Sequence, residues 1–329
     1  MTPRPWHHTS RGFRNPPGSP SEAHPPSVTW KFIWWMLRQA GQKPVAPDGH
    51  ILTPAEIRAG LDAMPDDSLT WLGHAAFLLR ANGRTILFDP FLGDWASPLP
   101  GLGPRRFMPP AVPPEALPPI DLLLISHNHY DHLCLDTLRR LPGRERTSVV
   151  VPLGLAPMLR ARGFSDVREA DWGHRVDVGG IGVTALPAIH WSKRGLFDRN
   201  RTLWCSFAVD VPKRKLWFSG DTAYGPVFRE IGRDHGPFDL AMIPIGAYQP
   251  REMMGAHHAD PEEAVQIGRD IGAARLVAMH WGTIRLTTED PFEPPQRYRA
   301  AAERAGYAEE DAWLMKIGET RPLNPWPRN

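Results

Sequence analysis

Residues 126–132 read Ser-His-Asn-His-Tyr-Asp-His directly behind the apolar run Leu122-Leu123-Leu124-Ile125, and no other stretch restricts the fold as strongly. A short buried strand ending at Ile125 delivers His127, His129, Asp131 and His132 to its carboxyl end, where a following loop can fold them around cations. His127 and His129 alternate, so both can face one ion, while Asp131 and His132 lie past the turn and reach a second. One histidine beside a strand is ordinarily a hydrogen-bonded core or surface residue, and a lone H-x-H carries little weight. Three imidazoles and a carboxylate together are different: a divalent metal satisfies at once polar groups that are otherwise costly to bury. The spacing predicts two metal sites.

At 329 residues the chain can hold one large domain or two ordinary ones, and 42% hydrophobic content suffices for a sizeable core. Its 38 basic and 36 acidic side chains leave a net charge of +2, so no global field argues for nucleic acid as a partner. Only Cys134 and Cys205 are present, which excludes a disulfide framework and a cysteine zinc ribbon and fits a reducing compartment. Metal ligands must then be His and Asp. No run approaches membrane-spanning length and the opening lacks the apolar core of a secretory signal, so cytoplasmic residence is expected. Arg4, Arg11 and Arg14 precede the first acid, Glu22, as in a transit peptide, but seven prolines before residue 27 oppose the amphipathic helix such peptides need.

These features divide the chain into a disordered proline-rich leader, 1–27, an extension, 28–67, and a main domain, 68–329. The extension contains Trp30-Lys-Phe-Ile-Trp-Trp-Met-Leu37, whose aromatic content suits packing onto the main domain, a dimer contact or a dip into a membrane interface. A short helix is expected from Pro54 to Asp62. In the main domain, strands are expected at 69–74, 76–80 and 85–89, with a turn at Asn82-Gly83, and again near 122–125, 149–151, 183–186, 205–210, 215–219, 240–245 and 275–279. Nine prolines between Pro98 and Pro119 mark a long loop carrying Arg105-Arg106-Phe107. Asp260-Pro261-Glu262-Glu263 combines an N-cap, a proline at the first helical position and a capping-box glutamate, opening a helix that closes near Gly272. Sheets flanked by helices fit a layered α/β architecture.

Two ions need more donors than the first cluster offers, and three later residues repeat its position at a strand end: His190 after Thr184–Ile189, Asp221 after Phe218-Ser219-Gly220, and His280 after Arg275–Met279. H-x-H-x-D-H, a distant His, an Asp after an apolar strand and Gly, and a last His resemble, in order, the metallo-β-lactamase fold superfamily. The resemblance implies an αβ/βα four-layer sandwich with a dimetal site at one edge. It implies one ion held by His127, His129 and His190, a second by Asp131, His132 and His280, with Asp221 bridging. It also implies places beside the ligands for His74 and Asp89; a ligating histidine needs a partner for its other ring nitrogen, and Asp89 can provide one. Imidazole with carboxylate suits zinc, and also iron or manganese.

A closer likeness is to the N-acylphosphatidylethanolamine-hydrolysing phospholipase D branch. Trp71-Leu-Gly-His-Ala75, Leu124–Leu133, Val151-Pro-Leu-Gly-Leu155, His190-Trp191 with Lys193-Arg194, Ser219-Gly-Asp-Thr222, Ile243–Tyr248, His258–Ala264 and His280-Trp-Gly-Thr283 look like its blocks, while the first 65 residues match less well. This implies hydrolysis of a phosphodiester, with N-acyl phosphatidylethanolamine or a related phospholipid as substrate and a metal-bridging hydroxide as nucleophile. Asp131 is expected to help set the basicity of that hydroxide. His258, just before a helix N-terminus, is placed to bind phosphate or protonate the leaving alkoxide, with a purely structural loop bond as its rival; His257 reads as incidental. Tyr248, Lys193 and Arg194 are substrate-contact candidates, as are Arg105 and Arg106 for lipid phosphate. The same ligand set also serves lactone and carboxyl-ester hydrolysis, and a membrane-associated lipid-binding protein is the alternative of another class.

Overall fold

The computed structural model describes residues 5–39, 42–99, 101–212 and 214–324. Leu122 and Leu124 face one core and Leu123 and Ile125 the other. The same alternation sends Ile86 and Phe88 one way and Leu87 the other, and Val150 opposite to Val149 and Val151. These runs are continuously apolar because their strands are buried on both faces.

Two seven-stranded sheets result. In spatial order the first is Thr320–Pro322, Ser68–Gly73, Ala76–Ala81, Arg84–Phe88, Leu122–Leu124, Ser148–Pro152 and Asp166–Ala170. The second is Arg175–Val178, Ile181–Leu186, Ser206–Val211, Arg214–Phe218, Leu240–Pro244, Leu276–Met279 and Ala312–Trp313. Each sheet is half antiparallel and half parallel, the change falling at Arg84–Phe88 in one and Arg214–Phe218 in the other. The sheets face each other across a core in which the rings of Phe88 and Phe218 lie 5.0 Å apart. Leu138 and Leu159, on helices Leu135–Arg140 and Ala156–Arg160, cover the outer face of the first sheet; Val227–His235, Pro261–Asp270 and Pro294–Arg304 accompany the second. The architecture is the expected αβ/βα sandwich.

The expected helix Pro54–Asp62 forms with a Thr53–Glu56 capping box, and Pro261–Asp270 opens on the reciprocal Asp260–Glu263 box. Asn82 and Gly83 both take positive φ in the hairpin turn. Strands 166–170, 175–178, 312–313 and 320–322 and helices 135–140, 156–160, 251–254 and 294–304 show no clear period in the sequence, their patterns being short or mixed; helix Val227–His235, whose Val227, Phe228 and Ile231 share a buried face, also lies outside the expected elements.

The described part of the leader departs from the expectation of disorder. Residues 5–19 form a small hairpin, His8–Thr9 with Gly12–Phe13, laid against the sandwich. Prolines do preclude a helix, but an extended segment is retained when its polar groups find partners. Here the His7 and His8 rings meet Asp171, Phe13 N–H donates to Asn200 O, and Asn15 Oδ1 accepts from the His190 backbone and the Trp204 indole. Residues 1–4 lie outside the described residues. The aromatic segment of the extension forms helix Pro26–Gln39, in which no residue is buried.

Candidate metal centre

All the candidate ligands lie beyond strand carboxyl ends along one edge of the sandwich, where loops rather than a ladder occupy the backbone. Four come from the loop after Leu122–Leu124, His190 from that after Ile181–Leu186, Asp221 from that after Arg214–Phe218, and His280 ends Leu276–Met279. Three residues of this edge, His74, Asp89 and His280, have φ of 59°, 36° and 63°. Left-handed backbone costs a non-glycine residue on the order of 1–3 kcal/mol and is held only where surroundings impose it, commonly at functional sites. Gly220, at φ +56°, lets the two sheets close: a Cβ there would meet Ser126 Cβ at 2.5 Å and Cys205 O at 3.1 Å. Asp221 thereby reaches the His127 side of the site.

The donors form two groups, His127 with His129, His190 and Asp221, and His74 with Asp131, His132 and His280, each with its ligand-type atoms within 4.8 Å of one another. Asp221 Oδ2 lies 3.1 Å from His132 Nε2, 3.2 Å from His280 Nε2, 3.8 Å from His190 Nε2 and 3.9 Å from His127 Nε2, a position between the groups. Asp131 Oδ2 is 3.0 Å from His74 Nε2 and 3.5 Å from His280 Nε2.

Hydrogen bonds behind the rings set their tautomers. Asp89 Oδ2 accepts from His132 Nδ1 at 2.7 Å and from the Ser126 hydroxyl, whose oxygen in turn accepts from His127 Nδ1 at 2.8 Å. His190 Nδ1 donates to His257 O at 2.9 Å. A neutral ring that donates through Nδ1 presents a bare lone pair at Nε2, and in all three residues that atom faces inward. His127 Nε2 and His190 Nε2 both converge on His129 Nδ1, at 2.9 and 3.2 Å, although His129 has at most one N–H to share there.

Burial is the largest influence on these groups. It holds His127, His129 and His190 well below the ordinary histidine range and His74 and His258 near 3. For His132 and His280 it is outweighed by Asp221 and Asp131, which raise His132 well above that range and His280 to about 9. Burial likewise pushes Asp131 and Asp221 upward and is outweighed by the facing imidazoles, which hold both well below the carboxylate range. Protons can thus answer the carboxylates at His132 and His280. The converging neutral lone pairs of His127, His129 and His190 call for a cation. His129 Nε2, Asp221 Oδ1, His258 Nδ1 and both ring nitrogens of His280 are buried without a hydrogen-bond partner, which a hydrogen-bonded core rarely leaves. The donor set fits two divalent ions.

Other candidates fare differently. His258 is buried, with Nδ1 4.0 Å from Asp221 Oδ2 and its ring centroid 5.1 Å from that of His190, so it joins the cluster. Lys193 is exposed, with its backbone N–H on Asn128 Oδ1. Arg194, expected to meet substrate, instead spends its guanidinium on Asn128 O and Leu133 O, each at 2.8 Å, and stacks over Tyr130; it braces the ligand loop. Tyr248, also a substrate-contact candidate, is fully buried, hydrogen-bonds Glu293 and lies under Arg297. Arg106, 6% exposed, donates to Met108 O and Phe91 O and is a prop for its loop. Three contributors escaped the sequence reading. Ser126 stands in the motif without a ligand's chemistry, the contribution of His257 is its carbonyl, and Asn15 lies 175 residues from the backbone it holds.

Residues 84–281 match the family model of the beta-lactamase superfamily domain. The chain is 41% identical to an uncharacterised protein of Mycobacterium tuberculosis over 84% of this chain and 73% of that protein. It is 36% identical to N-acyl-phosphatidylethanolamine-hydrolyzing phospholipase D 1 of Caenorhabditis elegans, over 87% and 85% respectively. A solved metallo hydrolase of Ignicoccus hospitalis superposes with a TM-score of 0.55 at 22% identity, covering 77% of this chain and 97% of its own. With its sandwich, its edge of histidines and aspartates and these relatives, the chain belongs to the metallo-β-lactamase superfamily and is a metal-dependent hydrolase.

Proposed function

We propose that the protein is a phosphodiesterase of the phospholipase D type, acting on N-acyl phosphatidylethanolamine or a related phospholipid. The observation that carries this reading is the pair of donor groups meeting at Asp221, a layout suited to two ions sharing one substrate group. His127, His129 and His190 would hold one ion and Asp131, His132 and His280 the other, with Asp221 between; zinc suits the donors, as do iron and manganese. Two such cations, when bound, supply an acidified water and neutralise charge on the phosphoryl oxygens. The chain's own residues do the rest. Asp89 holds His132 directly and His127 through Ser126, so that both rings keep their Nε2 lone pairs inward. Asp131 holds His74 and faces His280 on the second side. His258, kept neutral by burial, is a hydrogen-bond donor for a phosphoryl or leaving-group oxygen rather than a cationic acid.

The named activity of the Caenorhabditis elegans relative supports the phospholipid assignment. So does helix Pro26–Gln39, where Trp30, Ile33, Trp34 and Leu37 share one face at helical spacing and are 70%, 41%, 57% and 70% exposed. Such a face suits peripheral contact with a membrane surface from the cytoplasm. Among the described residues no helix is long and apolar enough to cross a membrane.

The test is elemental analysis of protein purified without chelators, followed by assay of zinc-loaded protein on bis-p-nitrophenyl phosphate, a lactone and N-acyl phosphatidylethanolamine in mixed vesicles. Release of phosphatidate and N-acylethanolamine from the lipid is expected. Turnover of the lactone with neither diester cleaved would transfer the protein to the ester-hydrolase reading.

A further inference from the structure

Away from the central cluster, one more set of ligand-type side chains converges among the described residues. His7 and His8 of the N-terminal segment meet Asp171, which follows strand Asp166–Ala170. His7 Nε2 is 2.7 Å from Asp171 Oδ1 and His8 Nε2 is 2.7 Å from Oδ2, and the ligand-type atoms of the three residues lie within 4.8 Å of one another. His7 lies in the turn closed by the His8 N–H on Pro5 O at 3.0 Å and His8 begins the strand, and this bend brings both rings onto one carboxylate. Aromatic packing holds them there: His7 stacks on Trp172 at 4.4 Å, and His8 stands edge-on to His7 at 4.6 Å and to Phe13 at 5.0 Å. The Trp172 backbone N–H fixes Asp171 Oδ1 from the far side at 2.8 Å.

The exposure is graded. The His7 side chain is 5% exposed, His8 18% and Asp171 23%, so the cluster is largely enclosed while water reaches His8 and Asp171. His7 also lines a cavity of about 450 Å³ with Trp6, Trp172, Glu230 and Asp234. Two imidazoles and a carboxylate with one corner open to solvent match a three-ligand, one-water ion site. In such a site a cation takes the place of the two ring protons that otherwise join imidazole to carboxylate.

We propose that His7, His8 and Asp171 form a further divalent-cation site, of the imidazole–carboxylate type that takes Zn²⁺, and that its ion staples residues 5–19 to the sandwich. The staple would also steady the central site at one remove, because the same segment carries Asn15, whose Oδ1 accepts the His190 backbone N–H at 3.0 Å.

The test compares full-length wild-type protein with the double variant His7→Gln/His8→Gln and with Asp171→Asn, each loaded with Zn²⁺, desalted and subjected to elemental analysis. Wild type should hold one equivalent more than either variant, whatever the central site binds, and proteolysis within residues 5–19 should accelerate in both variants and in chelator-treated wild type. Asp171→Asn keeps an acceptor oxygen for one ring and offers the other an N–H that a neutral imidazole nitrogen can accept, so a plain hydrogen-bonded clasp predicts equal metal content in all three proteins. That equality would overturn the proposal. Should the double variant fail to fold, His8→Gln alone, altering the more exposed ring, makes the same comparison.

Discussion

Asp89 accepts from Ser126 and His132 together, so removing its charge loosens two candidate ligands while touching neither. Asp89→Asn should lower zinc affinity about 10–100-fold, the usual loss when the partner of a ligating histidine is removed. Competition with a chromophoric chelator measures it. Asn15→Ala removes the acceptor for the His190 N–H and the Trp204 indole. One uncharged hydrogen bond contributes roughly 1 kcal/mol, which sets an expected loss of about 5-fold in the affinity of the His190-side ion, read in the same competition. Asp89 was legible in sequence as a residue at an expected strand end that the family resemblance places beside the ligands. Asn15 was not, since nothing local in Phe13-Arg-Asn-Pro16 says which distant backbone its amide will meet.

At the scale of elements, helix Pro26–Gln39 leaves an apolar face uncovered, while Arg285 holds its end through Gln39 and over Trp35. Replacing Trp30 and Trp34 with Ser should cut partition onto phospholipid vesicles at least tenfold and leave hydrolysis of bis-p-nitrophenyl phosphate unchanged, measured by co-sedimentation and by initial rates. Unaltered partition would detach this helix from membrane contact. Strands with uninterrupted apolar runs and the helix opened by Asp260-Pro261 announce themselves because local pattern and burial agree there. Strand Arg175–Val178 does not; its sheet partner decides its state, and its own residues leave it open.

For the whole molecule, burying so many imidazoles at one edge couples folding to pH. His74 and His258 have an ordinary value of 6.5 and are held at about 3 by burial, so the folded state binds fewer protons than the unfolded one as pH falls below 6.5. His127, His129 and His190 act in the same direction. His132 and His280 are raised, and their stabilisation is already complete below 6.5, so they add no slope there; Asp131 and Asp221 are depressed and add slope only below the ordinary carboxylate value near 4. Metal-stripped protein should therefore lose stability between pH 6.5 and 5, with roughly 2 kcal/mol from each of His74 and His258 at the lower pH. Urea midpoints at the two pH values check this, and a flat profile would contradict it. The sequence alone determined the superfamily, the candidate ligands and most strands of the two sheets, because ligand spacing and the apolar runs before them are local properties of the chain. Only the tertiary structure decided that Arg194, Tyr248 and Arg106 are internal props, that the proline-rich segment is laid against the fold, and that Asn15 reaches His190. Those outcomes depend on which distant carbonyls, carboxylates and amides the folded backbone brings within hydrogen-bond reach.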